Sequence, residues 1–340
     1  MTEYDNDCND SENRVRTNEL MDDVINVDGK LIFAPYNPLN QEITQADIQT
    51  ILSKHGLSSI NVNNLNLFKR AFVHRSYVKR PQHVNDSMNI QIAECPENCI
   101  PLKTKSNERL ELLGDSFLGA VTIFYLYRRF PRESEKFITE KKIAIINNER
   151  IGQFAFDMGL HKWVIMSKYA EEQDIRTTIK KMGCIFEAFL GALILDQRDL
   201  DSDMDAIGKG MDTAQIFLSS IFEKYLDWDK LIHTNDNFKN TLQMKIQKEF
   251  KFTPQYAELG RTMDNGYRVG VYICTKKIEV VNLEDAIPIS DIQSPTFEVL
   301  HSMQESSPDN HLFICLAEGT HKIKRKAEQI ACQFALSILT

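Results

Sequence analysis

Apolar residues recur at spacings of three and four through roughly the first two thirds of the chain, and at spacings of two near its end. QADIQTILSKHGL, from Gln45, carries the first helical pattern, and LNLFKRAFVHRSYV, from Leu65 to Val78, the second. Residues 80–106 are polar and hold three prolines together with Cys95 and Cys99. They show no clear period and read as a long surface loop. From Asn107 to about Tyr225 the helical pattern is almost continuous. Leu110, Leu113, Phe117, Val121 and Phe124 line one helix, and Ile143, Ile146, Ile151 and Phe154 line others. Pro131 ends the first of these after Phe130, because proline lacks the amide that would continue it.

The period changes after about Asp236. Asn237–Phe250 reads as a helix, GYRVGVYICTK and HLFICLAEG alternate as strands do, and Lys324–Leu339 reads as a closing helix. An all-helical domain over residues 46–228 is therefore expected, followed by a small α+β domain over residues 236–340. The first 30 residues hold nine acids against three bases. With poor apolar periodicity there, and Pro35 and Pro38 just after, residues 1–45 are expected to form a disordered acidic extension with an extended lead-in.

At 340 residues, 42% hydrophobic and 26% charged, the chain is long enough for two cores. No run of about 18 apolar residues occurs, so neither a membrane span nor a membrane partner is expected. The N-terminus lacks the basic and apolar regions of a secretory signal. The seven cysteines are scattered. Cys95 and Cys99 form a lone CxxxC without the further ligands a zinc site needs, so the cysteines read as free thiols in a reducing compartment. The net charge of −8 argues mildly against nucleic acid, but its distribution matters more. Residues 236–278 hold eight bases and four acids, and 311–340 four bases and two acids, a sum of +6, whereas residues 279–310 hold seven acids and no Lys or Arg.

The candidate chemistry lies in NERLELLGDSFLGA, residues 107–120. Glu108, Glu111 and Asp115 stand three and four apart and share one helix face. Leu110, Leu112, Leu113, Phe117 and Leu118 fill most of the remaining circumference, so the helix is expected to be largely buried. Two readings stand. A row of acids can be a solvated face or half of a salt-bridge ladder. Alternatively, Arg109 being a single base against three acids, the buried charge is neutralised by a divalent cation, for which oxygen ligands favour Mg²⁺ or Mn²⁺. Glu187, in the apolar segment KKMGCIFEAFLGALILD, is either paired with a structural base or completes the cluster from a second helix.

NERLELLGDSFL resembles the signature of the ribonuclease III family. FKRAFVHRSY (residues 68–77), the stretch 130–160 and FEAFLGALILD are similar, in order, to its flanking helices. The resemblance spans roughly residues 45–225. It implies an all-α endonuclease fold, a homodimer with each subunit cutting one strand of double-stranded RNA, and products with 5′-phosphates, 3′-hydroxyls and staggered ends. It further implies that Glu111, Asp115 and Glu187 are metal ligands, that Glu108 takes part through water or the partner subunit, and that Glu135 is an additional acid of the cleft. Glu108, Asp115 and Glu187 would then be the catalytic set. Two departures are visible. Cys184 stands where the family usually has Asp, which implies weaker metal affinity, a preference for Mn²⁺ or reduced activity. Leu112 stands where many members have Phe at the dimer interface.

Residues 238–278 and 311–340 resemble a double-stranded-RNA-binding domain of α-β-β-β-α order, with residues 279–310 as an acidic insert. By that resemblance Gln243 reaches the minor groove and Lys324, Arg325 and Lys326 meet phosphates at a helix start. The loop MDNGY (263–267) and Ile323 depart from the family's pattern. KIKRK (322–326) also fits a nuclear signal, so the compartment is not fixed. The insert is expected either to loop away from RNA or to compete for the basic face. The rival reading is a non-catalytic double-stranded-RNA-binding protein on a degenerate nuclease domain, with Cys184 as its sign.

Overall fold

Helices whose apolar stripes converge on one almost fully buried helix make up most of the N-terminal part. The computed structural model describes residues 21–199, 206–233, 237–262 and 266–339. It divides into two units, Met1–Leu231 and Ile232–Thr340. The first contains α1 (Gln45–Lys54), α2 (Leu65–Ala71), α3 (Gln82–Ser87), α4 (Glu108–Arg129), α5 (Glu135–Ile145), α6 (Asn148–Asp157), α7 (Lys168–Glu172), α8 (Ile179–Asp196), α9 (Gly208–Tyr225) and α10 (Trp228–His233). Side-chain oxygens of Thr44, Ser134 and Asn147 cap α1, α5 and α6. From Met182 onward every residue of α8 except Cys184 and Leu195 is buried, as expected of a helix apolar on all sides. Helices α2, α4, α6 and α9 pack around it. Asp196, buried at its end, accepts the backbone amides of Asn63 and Asn64, which ties the start of α2 to α8.

Two expectations are corrected here. Residues 21–45 are ordered, and residues 80–106 are not a plain loop. Strand β1 (Val24–Val27) pairs antiparallel with β2 (Lys30–Phe33), and β2 pairs in parallel with β3 (Ile90–Ile92). Phe33, Tyr77, Ile90, Leu102 and Ile165 form a small core beneath this sheet, and the Arg80 guanidinium lies 3.8 Å from the centre of the Phe33 ring. Strands of three or four residues are too short to show a period, and their partners lie far apart in sequence. The most acidic stretch, residues 1–20, lies outside the described residues.

A third correction concerns α4. One side packs on α8, but Leu112 is 69% and Tyr127 70% exposed, with Ile123 and Phe124 exposed beside them. Glu108 and Asp115 are exposed as well. Apolar composition showed that the helix wants cover, not which chain covers it. By length and composition α4 is apolar enough to cross a membrane, yet Leu110, Leu118, Val121 and Leu126 sit in the helical core.

The second unit contains α11 (Phe238–Phe250), β4 (Gln255–Thr262), β5 (Gly266–Cys274), β6 (Ile287–Pro288), α12 (Phe297–Ser306), β7 (Phe313–His321) and α13 (Lys324–Ile338). The sheet order is β4-β5-β7-β6, with β6 parallel to β7 and the other pairs antiparallel. Leu242 and Ile246 of α11 and Ala331, Cys332 and Ala335 of α13 pack on Val271, Ile273 and Leu316 of the sheet. The acidic segment 279–310 is folded into this unit rather than looped away. Its Ile289 and Leu300 join the same core, and Val281, Leu283 and Ala286 pack by Tyr272, Cys274 and Phe313 in a second cluster. Among the described residues none of its acids pairs with a Lys or Arg. Of the loop MDNGY, residues 263–265 lie outside the described residues.

Candidate active site

The site begins with two glycines. Helices α4 and α8 cross so closely that a Cβ on Gly114 would lie 1.8 Å from the Glu187 carbonyl oxygen, and one on Gly191 would lie 2.3 Å from that of Leu110. Real side chains do not tolerate such approaches, so both positions require glycine. The crossing brings Glu111, three residues before Gly114, across to Glu187, four residues before Gly191. One carboxylate oxygen from each, together with Cys184 Sγ, lie within 4.8 Å of one another. Opposite ligands of a small divalent cation stand about 4 Å apart, so slight side-chain rotation closes the set.

Among the described residues the charge in this cluster is opposed only weakly: Lys181 acts on the Cys184 thiol, and no base is among the influences on Glu187. Glu187 is 8% exposed, and no hydrogen bond reaches it from the described residues. Burial, then Asp115, then Glu111, push its carboxyl up to about 8. Burial and the same neighbourhood, Glu111 foremost, push the Cys184 thiol up to about 12. A cation beside these carboxylates would favour their charged form. The carboxylates therefore fit a hard divalent cation, whereas the protonated thiol does not. Asp115, one turn beyond Glu111, is exposed and near enough to raise the Glu187 carboxyl, but is not among the three groups whose ligand atoms meet.

The other predicted residues lie apart from this set. Glu108 is the first residue of α4. Its carboxylate accepts from Ser106 Oγ at 3.1 Å and lies 3.9 Å from Arg75. Glu135 opens α5, is exposed, and accepts from Thr139. In the second unit Gln243 is half-buried on α11, and Lys324, Arg325 and Lys326 are exposed at the start of α13. Lys324 donates to Glu258 of β4 at 2.9 Å. Ile323 caps α13 without a side-chain hydrogen bond, so the first amides of the helix have no side-chain acceptor from the cap. Sequence reasoning passed over Gly114 and Gly191, although glycines inside apolar helices signal a close crossing.

Comparison with known proteins shows the family. The ribonuclease III domain model matches residues 108–198, which contain both helices of the crossing. Ribonuclease 3 of Geobacillus thermodenitrificans is 30% identical over 253 residues, which cover 70% of this chain and 88% of that protein. The chain belongs to the ribonuclease III family. Ribonuclease 3 of Chlorobium luteolum is 33% identical over 198 residues, 58% of this chain and 60% of that protein's length. Among solved structures, the nuclease domain of Campylobacter jejuni ribonuclease III aligns over 53% of this chain and 95% of that chain, at 20% identity and a TM-score of 0.38. Dicer from Pichia stipitis aligns over 82% and 96%, at 18% identity and a TM-score of 0.32.

Proposed function

We propose that this ribonuclease III family member is a divalent-cation-dependent endoribonuclease that cuts double-stranded RNA as a homodimer. The products would carry 5′-phosphates and 3′-hydroxyls. The observation that carries this reading is Glu187, a buried acid with no hydrogen-bond partner among the described residues, set against Asp115 and Glu111. A divalent cation held by these three carboxylates, Mg²⁺ or Mn²⁺, would supply charge neutralisation at a phosphate oxygen and a water acidified towards neutral pH.

What the chain supplies is placement. The α4–α8 crossing fixes Glu111 and Glu187 on rigid elements. Asp115, exposed one turn beyond Glu111, would add its carboxylate from the solvent side. Glu108, held by Ser106 and near Arg75, stands one turn away, where a water or a partner subunit reaches it. Glu135 is the further acid of the same proposal. The neutral thiol of Cys184 removes one negative charge from the cluster and weakens Mg²⁺ binding.

Two surfaces support the rest. The exposed face of Leu112, Ile123 and Tyr127 on α4, with Ile143 on α5, is apolar and suits a second copy of the chain. In the second unit Arg325 and Lys326 beside the start of α13, with Lys324 and Gln243, suit phosphates and 2′-hydroxyls of an A-form duplex. Cleavage of a labelled RNA duplex in Mg²⁺ and in Mn²⁺ tests the reading, with Glu187→Gln alongside. Cleavage abolished by that change supports it. Binding without cleavage, unrescued by Cys184→Asp, establishes instead the second reading that Cys184 favours, a duplex-binding protein on an inactive nuclease domain.

A further inference from the structure

Cys184 is the member of the cluster whose chemistry is not that of a hard-cation ligand. It lies three residues before Glu187 on α8, hence on the same face. Its Sγ shares with oxygens of Glu111 and Glu187 a sphere in which no two of the three atoms are more than 4.8 Å apart. Towards the backbone it has a weak contact, 3.7 Å from the Lys180 carbonyl oxygen. Glu187 beside it is 8% exposed and receives no hydrogen bond from the described residues. One buried carboxylate, a second carboxylate and a thiol thus converge, with the thiol hydrogen-bonded to Glu111 and no donor among the described residues reaching Glu187. Thiolate ligands select zinc-like ions over magnesium-like ones, because the sulfur is soft and polarisable.

We propose that Glu111, Cys184 and Glu187 bind a thiophilic divalent cation of the Zn²⁺ and Cd²⁺ class through Cys184 Sγ, and that this ion excludes the hard cation from the shared carboxylates and silences the nuclease. The inference rests on the reading of the cluster as a metal site. Its binding step does not depend on RNA cleavage. In that step the S–H bond of Cys184 breaks, a sulfur–metal bond forms and the proton passes to solvent. No electrons change hands, so the signature is proton release with each ion bound.

The test uses the full chain carrying C8S, C95S and C99S, which removes the thiols of Cys8 and of the Cys95–Cys99 segment. Metal-free protein is titrated with Cd²⁺ while the ultraviolet thiolate-to-cadmium charge-transfer band and proton release are recorded. The expected result is a band that saturates at one ion per chain and that excess Mg²⁺ displaces to higher Cd²⁺. Adding Cys184→Ser removes that band. Glu187→Gln keeps it but weakens the affinity roughly 10- to 100-fold. A band that persists unchanged in Cys184→Ser, or that Mg²⁺ does not displace, overturns the inference. Cleavage in Mg²⁺, measured on the same preparations, separates the two readings. RNA cut normally with a band indifferent to Cys184 sinks the thiophilic site alone. A Cys184-dependent band with no RNA cut sinks the nuclease reading alone.

Discussion

Charge is handled in opposite ways in the two units. In the helical unit Glu111 and Glu187 meet with Cys184 at one crossing, Asp115 acts on Glu187 from nearby, and the most buried of these acids has no hydrogen-bond partner among the described residues. In the C-terminal unit the bases are spread and exposed, and several have an acid of their own: Lys239 with Glu328, Arg268 with Glu318, Lys324 with Glu258. Paired surface charges are worth little to the fold, typically under 1 kcal/mol each, and separate easily. Clustered like charges destabilise the fold until a ligand arrives. The first arrangement demands a ligand, and the second merely tolerates one.

The comparison breaks most visibly at Glu187. Glu187→Gln is expected to lower cleavage about a thousandfold or more, the effect of several kcal/mol of lost metal stabilisation. The metal-free variant should nevertheless be more stable than the parent. The fold holds this carboxyl at about 8, above its ordinary 4.5, so it favours the protonated form. Stability that is present below pH 4.5 is lost as pH rises through about 8. Thermal melts of parent and variant should therefore coincide below about pH 4.5, draw apart as pH rises towards about 8, and stay apart above it, with the glutamine protein higher. Equal melts at pH 9 would refute the uncompensated charge.

Gly114→Ala comes next. Its Cβ would meet the Glu187 carbonyl at 1.8 Å, so the helices must part. A displacement of about 1 Å at a catalytic centre costs about a hundredfold in rate, readable in single-turnover cleavage. Rates within threefold of the parent would show that the crossing does not position the acids.

The paired side of the comparison gives smaller effects. Deleting residues 279–310 removes Ile289 and Leu300 from the core. At about 1.5 to 3 kcal/mol for each buried aliphatic chain, the C-terminal unit should lose most of its stability, as a urea titration would show. Arg325→Ala with Lys326→Ala should lower the salt slope of duplex binding by about 2, one per phosphate contact. Smallest of all, Glu258→Gln releases Lys324 and should raise duplex affinity a few-fold at low salt, consistent with the small worth of an exposed pair. A fall in affinity would show that Glu258 orients Lys324 instead of occupying it.

What could be read from the chain beforehand followed from short-range regularity. The three- and four-residue spacing of Glu108, Glu111 and Asp115 is a local property, and so is the unbroken apolarity around Glu187. The long-range facts were not legible. That Gly114 meets the Glu187 backbone depends on how two helices cross. That Leu112 and Tyr127 remain exposed depends on which surface covers them. Segment 279–310 read as an excursion because its acids are conspicuous, whereas its apolar residues, Ile289 and Leu300 among them, decide where it packs. The pairing of β2 with β3 joins residues that no local window contains.

That last pairing also sets a timetable. Leu31 lies opposite Ile90, so β2 is made about sixty residues before its parallel partner. Synthesis at about 5 to 20 residues per second leaves an interval of about 3 to 12 seconds, during which Val24–Phe33 can form at most an isolated hairpin, marginal in water. Helices α1 and α2, made of local contacts, fold in microseconds once released. The hairpin of β1 and β2 therefore waits for the chain to reach Ile90–Ile92 before a third strand can secure it.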